Sequence, residues 1–333
     1  EIQYLEIYLP NWIYGQKEKL NYRLFEEEAQ LMNKILVAGS INMDIVARMA
    51  HLPRTGETVF GDELHYIPGG KGSNQAVAAS RLGENVYLIG KLGQDVFGKS
   101  LTAFLEEEQL NLDYLFFSET YPTGVALINV DQQSENSITV ISGSNFQLSE
   151  QDVGHIEIDK GDVVVSVFEI PQPTILHLFK KAKRANAKTI LNPAPANPFI
   201  NELLEAVDYL IINETELAFF SDQDKVNTDI ESITQCASEL CKKSDRTIIV
   251  TLGPKGVICV SANEIIKVAG DRVDAIDTTG AGDCFTGAFA VAISEQIPIV
   301  KALEFANTAA SLSVQKLGAS TSMPYRQQVE DAL

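Results

Sequence analysis

The sequence predicts an α/β protein with a doubly wound, mostly parallel sheet, helices on both faces, and a small β-sheet lid. From Val163 onward, short apolar runs alternate with helical segments, which is typical of βαβ units. Earlier β-like segments, at about 44–67 and 123–141, break that rhythm and predict the lid as a separate sheet. With 333 residues and a hydrophobic content of 45%, the chain can bury the core of one large domain.

The strands of the large sheet are predicted where short apolar runs end in turn residues. They lie at 34–39, 86–91, 163–167, 189–192, 209–212 and 247–251, followed by a hairpin of 257–260 and 265–268. The lid strands are predicted at 45–48, 58–66, 125–130 and 137–141, with glycine and proline between them. Helices are predicted at 73–82, 99–107, 173–184, 214–220, 230–242, 281–294 and 300–315.

The first 31 residues stand apart from this pattern. They are rich in aromatic and acidic side chains and lack the basic start and apolar centre of a signal peptide. Met32 resembles a natural start, so we interpret residues 32–333 as one domain. Residues 1–31 are then an extension of unknown role, a fragment of a second module or a vector-derived segment.

Charge and composition exclude several classes of protein. The chain carries 26 basic and 45 acidic residues, and a net charge of -19 repels nucleic acid and anionic membrane. Its four cysteines form no CxxC pair, and its four histidines have no metal-ligand spacing. No apolar run is long enough to span a bilayer. These observations predict a soluble, cytoplasmic protein with reduced thiols.

The strongest local signal is the run Asp277-Thr-Thr-Gly-Ala-Gly-Asp283, which follows a strand-like run and precedes an apolar helix. Small residues at 280–282 let backbone N–H groups crowd at a helix N-terminus, where unpaired amides and the helix dipole bind anions. Phosphoryl transfer needs such stabilisation. Asp283 is then either an acid that stabilises the helix or a base beside an anion hole. The glycines favour the base, because glycine costs helix stability unless a backbone must come close to something.

Three further turns have the features of ligand sites. Gly69-Gly-Lys-Gly-Ser-Asn74 offers exposed backbone and two side-chain donors, although an ordinary turn with a serine N-cap also explains it. Asn213-Glu-Thr-Glu216 fits a capping box. Thr251-Leu-Gly-Pro-Lys-Gly256 follows a core strand. Because open sheets bind ligands at the carboxyl ends of their strands, the convergence of such turns on one edge predicts a site there.

The segment Gly93-Gln-Asp-Val-Phe-Gly-Lys-Ser100 matches the P-loop pattern GxxxxGK[ST]. We favour a structural role for it, because Asp95 and Phe97 occupy the loop that would wrap phosphates and an acid there repels them. No strand ending in a convincing Walker B aspartate is found.

Five motifs, in this order, resemble the ribokinase family of carbohydrate kinases. They are Gly39-Ser-Ile-Asn42-Met-Asp44, Gly69-Gly-Lys-Gly-Ser-Asn74-Gln-Ala, Asn192-Pro-Ala-Pro195, Asn213-Glu-Thr-Glu216 and Asp277-Thr-Thr-Gly-Ala-Gly-Asp283. The resemblance runs from about Met32 to the C-terminus, and the combination is far more specific than any one motif. The segment that begins at Gly93 also resembles that family's Gly-x-Asp-x-x-Gly turn.

The resemblance implies a kinase that uses ATP and Mg²⁺. Asp283 would take the proton of a sugar hydroxyl, and the amides of Gly280, Ala281 and Gly282 would hold the charge on the γ-phosphoryl group. The implied sugar contacts are Asn42, Asp44, Gly70, Lys71, Asn74, Glu169 and Asp283. The implied nucleotide contacts are Asn213, Thr251, Gly253, Gly256, Gly282 and Asn307, with Glu216 organising Mg²⁺ through water.

The resemblance also implies a K⁺ site beside the anion hole and a homodimer formed through the lid. The residues that match the cation site, several of them through backbone carbonyls, are Asp277, Thr279, Ser313, Lys316, Gly318 and Ser322.

Within this resemblance the Gly-Gly-Lys-Gly-x-Asn motif points to D-ribose, phosphorylated at its 5-hydroxyl to give ribose 5-phosphate and ADP. Asn42 and Asp44 suit vicinal hydroxyls, and a site built around a hydroxyl rejects an analogue that lacks it. Phe168 and Ile170 depart from the smaller or more polar neighbours expected around Glu169. The alternatives are a kinase for 2-deoxyribose or a hexose, and a non-catalytic sugar or nucleotide sensor on the same fold.

Replacing Lys99 separates the two phosphate-binding hypotheses. Lys99→Ala is expected to change turnover mildly, because the anion hole at 280–282 does not involve it. A P-loop centred on Lys99 would instead lose most of its activity in steady-state assays of this variant.

Overall fold

The computed structural model describes residues 33–133, 135–200, 202–222, 229–242 and 246–333. Within these residues the chain forms a nine-stranded sheet flanked by helices and a separate four-stranded sheet. The predicted large sheet with a small lid is therefore confirmed. The interpretation of residues 1–31 as an extension lies outside the described residues.

The strands alternate with helices through most of the described chain. The strands are β1 (Ile35–Ala38), β2 (Asn42–Met49), β3 (Gly61–Gly69), β4 (Val86–Gly93), β5 (Leu115–Ser118), β6 (Gly124–Val130), β7 (Asn136–Ile141), β8 (Val163–Val167), β9 (Lys188–Asn192), β10 (Tyr209–Asn213), β11 (Thr247–Thr251), β12 (Gly256–Val260) and β13 (Ile265–Ala269). The helices are α1 (Lys71–Leu82), α2 (Val96–Glu107), α3 (Glu150–Val153), α4 (Gln172–Ala185), α5 (Glu214–Phe220), α6 (Ile230–Lys242), α7 (Ala281–Ser294), α8 (Ile299–Ser313) and α9 (Arg326–Glu330).

The large sheet has the order β13-β12-β11-β10-β9-β8-β1-β4-β5. Its pairs from β5 to β11 are parallel, and β12 and β13 add an antiparallel edge. The chain runs from β1 toward one edge and then returns to lay β8 on the other side of β1. Such a switch point opens a crevice at the carboxyl ends of the strands, where α/β proteins bind ligands.

Helices cover both faces of this sheet, as the strand sequences require. Ile35 and Val37 of β1 pack in one buried cluster with α1, α7 and α8. Leu36 and Ala38 point to the opposite face and pack in a second cluster with α4 and α6. A strand buried on both faces reads as a continuous apolar run, which explains why β1 shows no polar alternation.

The structure differs from the sequence expectation in four places. The strand β5 and the short helices α3 and α9 were not predicted, because segments of four or five residues are too short to show a period. The prediction of a strand just before Asp277 is wrong, because β13 ends at Ala269 and residues 270–276 form no strand. The Ile276 amide donates instead to the Val314 carbonyl at 2.8 Å, at the C-terminal end of α8.

The lid is the four-stranded sheet β3-β2-β6-β7, and Asp95 fastens it to the large sheet. Its carboxylate accepts hydrogen bonds from the amides of Gly98 and Thr123 and from the Thr123 hydroxyl, each at 2.8 Å. Burial opposes ionisation, but these hydrogen bonds outweigh it and hold the pKa of Asp95 below its ordinary value. The carboxylate thus occupies the Gly98 amide, which a P-loop would offer to phosphate.

Asp95→Ala is expected to lower the free energy of unfolding by about 2 to 3 kcal/mol, because it removes a helix N-cap and leaves the Thr123 amide unpaired. Urea denaturation measures this, with the exposed Asp113→Ala as the control. Because the pKa is lowered on folding, this contribution is present above about pH 4 and is lost as the pH falls. Equal midpoints for the two variants at neutral pH would contradict the fastening role.

Candidate active site

A cavity of about 210 Å³ lies at the carboxyl ends of the parallel strands. The ends of β9, β10 and β11, the start of α1 and the start of α7 all contribute to its wall. The residues that line it are Lys71, Asn192, Ala194, Ile211, Ile212, Asn213, Glu216, Thr251, Thr278, Gly280, Ala281, Gly282 and Asp283. Three turns expected to converge on one edge therefore do so.

The N-terminus of α7 forms one side of this cavity. Gly280 is its N-cap, with a φ of 78° in the left-handed region that favours glycine. The Ala281 amide donates to the Thr278 carbonyl at 3.3 Å. Of the three residues expected to form the anion hole, Ala281 therefore has a partner within its own turn. The amides of Gly280 and Gly282 are the better candidates for binding an anion.

Asp283 lies in the first turn of α7, buried to 5% exposure. Asn74 donates to its Oδ2 and Gln75 donates to its Oδ1, each at 3.0 Å. Both donors are on α1, which packs closely on α7, since a Cβ at Gly287 would lie 2.5 Å from the Gln75 carbonyl. Helix packing thus sets the orientation of the predicted base.

The residues at 69–74 do not form the turn with a serine N-cap that was one interpretation. The helix α1 starts at Lys71, its N-cap is Gly70, and Ser73 is buried inside it. Lys71 reaches the cavity. The negative charge of Asp283 does most to raise the pKa of Lys71 above its ordinary value, against the opposing effect of burial.

Glu169 follows β8 and lies beside this loop. Its Oε2 accepts the Ser40 hydroxyl and, at 3.2 Å, the amide of Lys71. The neighbours Phe168 and Ile170 are 3% and 1% exposed and belong to the core on the other side. In the turn after β8, the side chains of Phe168 and Ile170 therefore pack into the core, while that of Glu169 reaches Ser40 and Lys71.

Asn42 and Asp44 lie on one face of β2, because side chains in a strand alternate. Asn145 donates to Oδ1 of Asn42 at 2.7 Å and fixes its orientation. Asp44 lies against Gly69, where a Cβ would come within 2.2 Å of the carboxylate. Burial, and then the charges of Glu169 and Asp283, raise the pKa of Asp44 to about 7.

Two of the predicted nucleotide contacts form a capping box that faces the cavity. Asn213 Oδ1 accepts the Glu216 amide at 2.8 Å, and Glu216 Oε2 accepts the Asn213 amide at 2.9 Å. Burial raises the pKa of Glu216 above its ordinary value, although the Asn213 amide and Lys71 act in the opposite direction. The motif therefore caps a helix and also lies in the cavity wall, so its structural role is compatible with a role in binding nucleotide.

The remaining predicted nucleotide contacts are spread more widely. Thr251 lines the cavity, whereas Gly253, Gly256 and Asn307 lie outside its wall. The two glycines flank the turn between β11 and β12. Asn307, on α8, donates to the Ala269 carbonyl at 3.1 Å.

The residues predicted for a cation site lie in two adjoining loops. Asp277 joins the loops, since its two carboxylate oxygens accept the amides of Thr279 and Gly318, each at 2.9 Å. Burial opposes ionisation, but these hydrogen bonds keep the pKa of Asp277 below its ordinary value. The hydroxyls of Ser313 and Ser322 donate to carbonyls three residues earlier. The Lys316 amide donates to the Ser313 carbonyl at 3.3 Å.

Two features are absent from the part of the chain that the structure describes. No cluster of three or more His, Cys, Asp or Glu side chains suitable for a metal ion is present there. No helix there is both long and apolar enough to cross a membrane.

Two functional candidates received no role from sequence reasoning, although they lie in two of the five family motifs. Gln75 bonds directly to Asp283, and Asn192 lines the cavity and accepts from Gln75 at 3.2 Å. Asn192 stands at the carboxyl end of β9, and a polar residue at that position is a signal that could have assigned it to the site.

A fold of this type, with a buried carboxylate beside a helix N-terminus at the switch point, suits the binding and transfer of a phosphoryl group. Comparison with known proteins agrees: a sequence model of the pfkB family of carbohydrate kinases matches residues 32–326. The chain belongs to this family and is a carbohydrate kinase.

Individual relatives extend over the same region. The chain is 37% identical over 305 residues to a ribokinase of Haemophilus influenzae, covering 91% of this chain and 99% of the relative. It is 36% identical over 304 residues to a ribokinase of Bacillus subtilis, covering 91% and 100%. A solved structure of Arabidopsis thaliana ribokinase complexed with ribose and ATP is 33% identical, with a TM-score of 0.82 and coverage of 90% and 98%.

The raised pKa of Asp44 predicts a pH-dependent stability. A carboxyl whose pKa rises from 3.8 to about 7 on folding favours the folded state below about pH 4. That contribution is lost as the pH rises through 7, and it amounts to about 4 kcal/mol. Asp44→Asn is therefore expected to stabilise the ligand-free protein at pH 8 relative to wild type, and much less so at pH 5. Urea denaturation at both pH values measures the difference, and an equal effect at both would contradict the assignment.

Proposed function

We propose that this kinase transfers the γ-phosphoryl group of ATP to the 5-hydroxyl of D-ribose, giving ribose 5-phosphate and ADP. The observation that carries the proposal is the placement of Asp283, a buried carboxylate in the wall of a cavity that also contains the first amides of α7. The names of the relatives, and the ribose and ATP bound to the Arabidopsis protein, support the choice of substrates.

The proposed reaction is an in-line displacement at phosphorus. The oxygen of the sugar hydroxyl forms a bond to the γ-phosphorus, and its proton passes to Asp283. The bond between the γ-phosphorus and the bridging oxygen breaks, and ADP leaves with that electron pair. The amides of Gly280 and Gly282, with Lys71, stabilise the charge on the transferring group. A carboxylate suffices as the base because the proton moves late, when the hydroxyl is already bonding to phosphorus.

The sugar would be held between the lid strand β2 and the start of α1. Asn42 and Asp44 point from one face of β2 and would bind adjacent hydroxyls, and Lys71, Asn74 and Glu169 would bind others. An analogue that lacks one hydroxyl leaves a buried polar group unpaired, so ribose is favoured over 2-deoxyribose. Gly70 allows the backbone of this loop to approach the sugar closely.

The nucleotide would extend from the α7 amides along the ends of β10 and β11. Asn213 and Thr251 line the cavity there, and Gly253, Gly256 and Asn307 lie farther along the proposed path. Glu216 is the residue that would hold Mg²⁺, through water. When bound, Mg²⁺ supplies positive charge to the phosphate oxygens.

We further propose that K⁺ binds between the two loops joined by Asp277. The hydroxyls of Ser313 and Ser322 use their hydrogens to donate to carbonyls, so the lone pairs on their oxygens can face a cation. Side-chain oxygens and backbone carbonyls would coordinate K⁺, and they come from Asp277, Thr279, Ser313, Lys316, Gly318 and Ser322. Such a cation would order the loop that carries the anion hole.

A homodimer through the lid is the proposed assembly. The lid exposes large apolar side chains on both of its faces. Leu64 and Tyr66, at 55% and 56%, lie on one face, and Ile138 and Val140, at 55% and 49%, lie on the face that carries Asp44. Exposed apolar surface supports an interface formed by the lid. A cytoplasmic location, a kinase domain at 32–333 and an extension at 1–31 remain predictions.

Asp283→Asn is expected to reduce turnover by about a thousandfold, because it removes the proton acceptor while preserving size and shape. Binding of ribose and ADP, measured by calorimetry, should change by only a few-fold. Asp113→Asn, at an exposed site, is the matched control. Near-normal turnover in Asp283→Asn would remove this residue as the base.

A coupled ADP-release assay with a panel of sugars tests the substrate. Ribose is expected to give the highest kcat/KM, with 2-deoxyribose and the hexoses well below it. A preferred hexose or 2-deoxyribose would overturn the choice of sugar. Failure of every pentose and hexose to release ADP would favour a non-catalytic sensor.

A further inference from the structure

A chain of side-chain amides links Asp283 to the centre of the large sheet. The Gln75 amide nitrogen donates to Asp283 Oδ1 at 3.0 Å and to Asn192 Oδ1 at 3.2 Å. The Asn192 amide nitrogen donates to the Ile211 carbonyl of β10 at 3.0 Å. Gln75 is fully buried, at 0% exposure. The orientation of the base is thus connected to two parallel strands.

The hydrogen bonds that link Asp283, Gln75, Asn192 and Ile211 fit only one orientation of each side-chain amide. The Ile211 carbonyl and the ionised Asp283 carboxylate can only accept hydrogen bonds. Asn192 must therefore present its nitrogen to Ile211 and its oxygen to Gln75. Gln75 in turn presents its nitrogen to both neighbours, so the sheet determines that a donor faces Asp283.

Folding alone does not account for a glutamine at this position. Its Oε1 is buried without a hydrogen-bond partner, which costs desolvation free energy. An apolar side chain of similar size would avoid that cost. Residues that lower stability in this way are typical of functional sites.

We propose that Gln75 is a positioning residue that holds the Asp283 carboxylate in the orientation needed to accept the sugar's proton. Asn74 donates to the other carboxylate oxygen but is also a proposed sugar contact, so Gln75 is the donor that stays in place when the sugar binds. The inference rests on the proposed role of Asp283 as the base.

The test compares Gln75→Met and Gln75→Glu with wild type and with the exposed Gln151→Glu as a control for added charge. Gln75→Met removes the donor and the unpaired oxygen together. It is expected to lower kcat about 10- to 100-fold, with KM for ribose and ATP within about threefold. The urea midpoint is also expected to fall, because Asp283 Oδ1 and Asn192 Oδ1 lose a donor. A merely structural role would lower the midpoint alone and leave kcat of the folded enzyme near normal.

The pH dependence of Gln75→Glu provides a second readout. The carboxyl group that this substitution introduces can donate to Asp283 when it is protonated, whereas it repels Asp283 when it is ionised. The ratio of the variant's kcat to that of wild type is therefore expected to fall as the pH rises from about 6 to 9, while the ratio for Gln75→Met stays constant. The Gln151→Glu control should match wild type throughout.

The outcomes separate this inference from the proposed function. If Asp283→Asn retains turnover, the base assignment fails and the positioning role fails with it. If Asp283→Asn is inactive and Gln75→Met keeps kcat within about twofold of wild type, only the positioning role is overturned. A ratio for Gln75→Glu that does not change with pH would also overturn it. If Gln75→Glu does not fold, Gln75→Met decides the question.

Discussion

The active site is organised around a cluster of four carboxylates that act on a single ammonium group. Asp44, Glu169, Glu216 and Asp283 surround the ammonium group of Lys71, and their charges act on one another. Burial raises the pKa of Asp44, and the charges of Glu169 and Asp283 raise it further. The charge of Asp283 does most to raise the pKa of Lys71. Hydrogen bonds from Asn74 and Gln75 and the dipole of α7 stabilise the carboxylate of Asp283 in its buried position.

The fold brings this cluster together from parts of the chain that are far apart in sequence. The crossing of α1 and α7 places two amide donors against Asp283, and the switch point beside β1 places Glu169 next to Lys71. The lid adds Asn42 and Asp44 and is fastened to the large sheet through Asp95. A kinase site of this design needs no basic surface, because in the proposed reaction main-chain amides and Mg²⁺ would balance the phosphates. This agrees with the net charge of -19.

Much of this arrangement could be predicted from the sequence, because its components have local signatures. The strands of the large sheet are continuous apolar runs, and the start of α7 at Ala281 follows from the glycines around it. The order of five motifs identified the family. Contacts between distant segments could not be predicted in the same way. Gln75 reads as an ordinary residue of an alanine-rich helix, and only the helix crossing shows that its amide reaches Asp283. The strand predicted just before Asp277 does not form. The amides of Ile276 and Asp277 donate instead to the Val314 carbonyl at the end of α8.

The most direct test of the account is a crystal structure of the enzyme with ribose, Mg²⁺, ADP and aluminium fluoride, which mimics the transferring phosphoryl group. The account predicts the metal fluoride against the amides of Gly280 and Gly282, with an Asp283 oxygen within about 3 Å of the 5-hydroxyl of ribose. A fluoride bound away from the α7 amides, or a carboxylate turned away from the sugar, would contradict it.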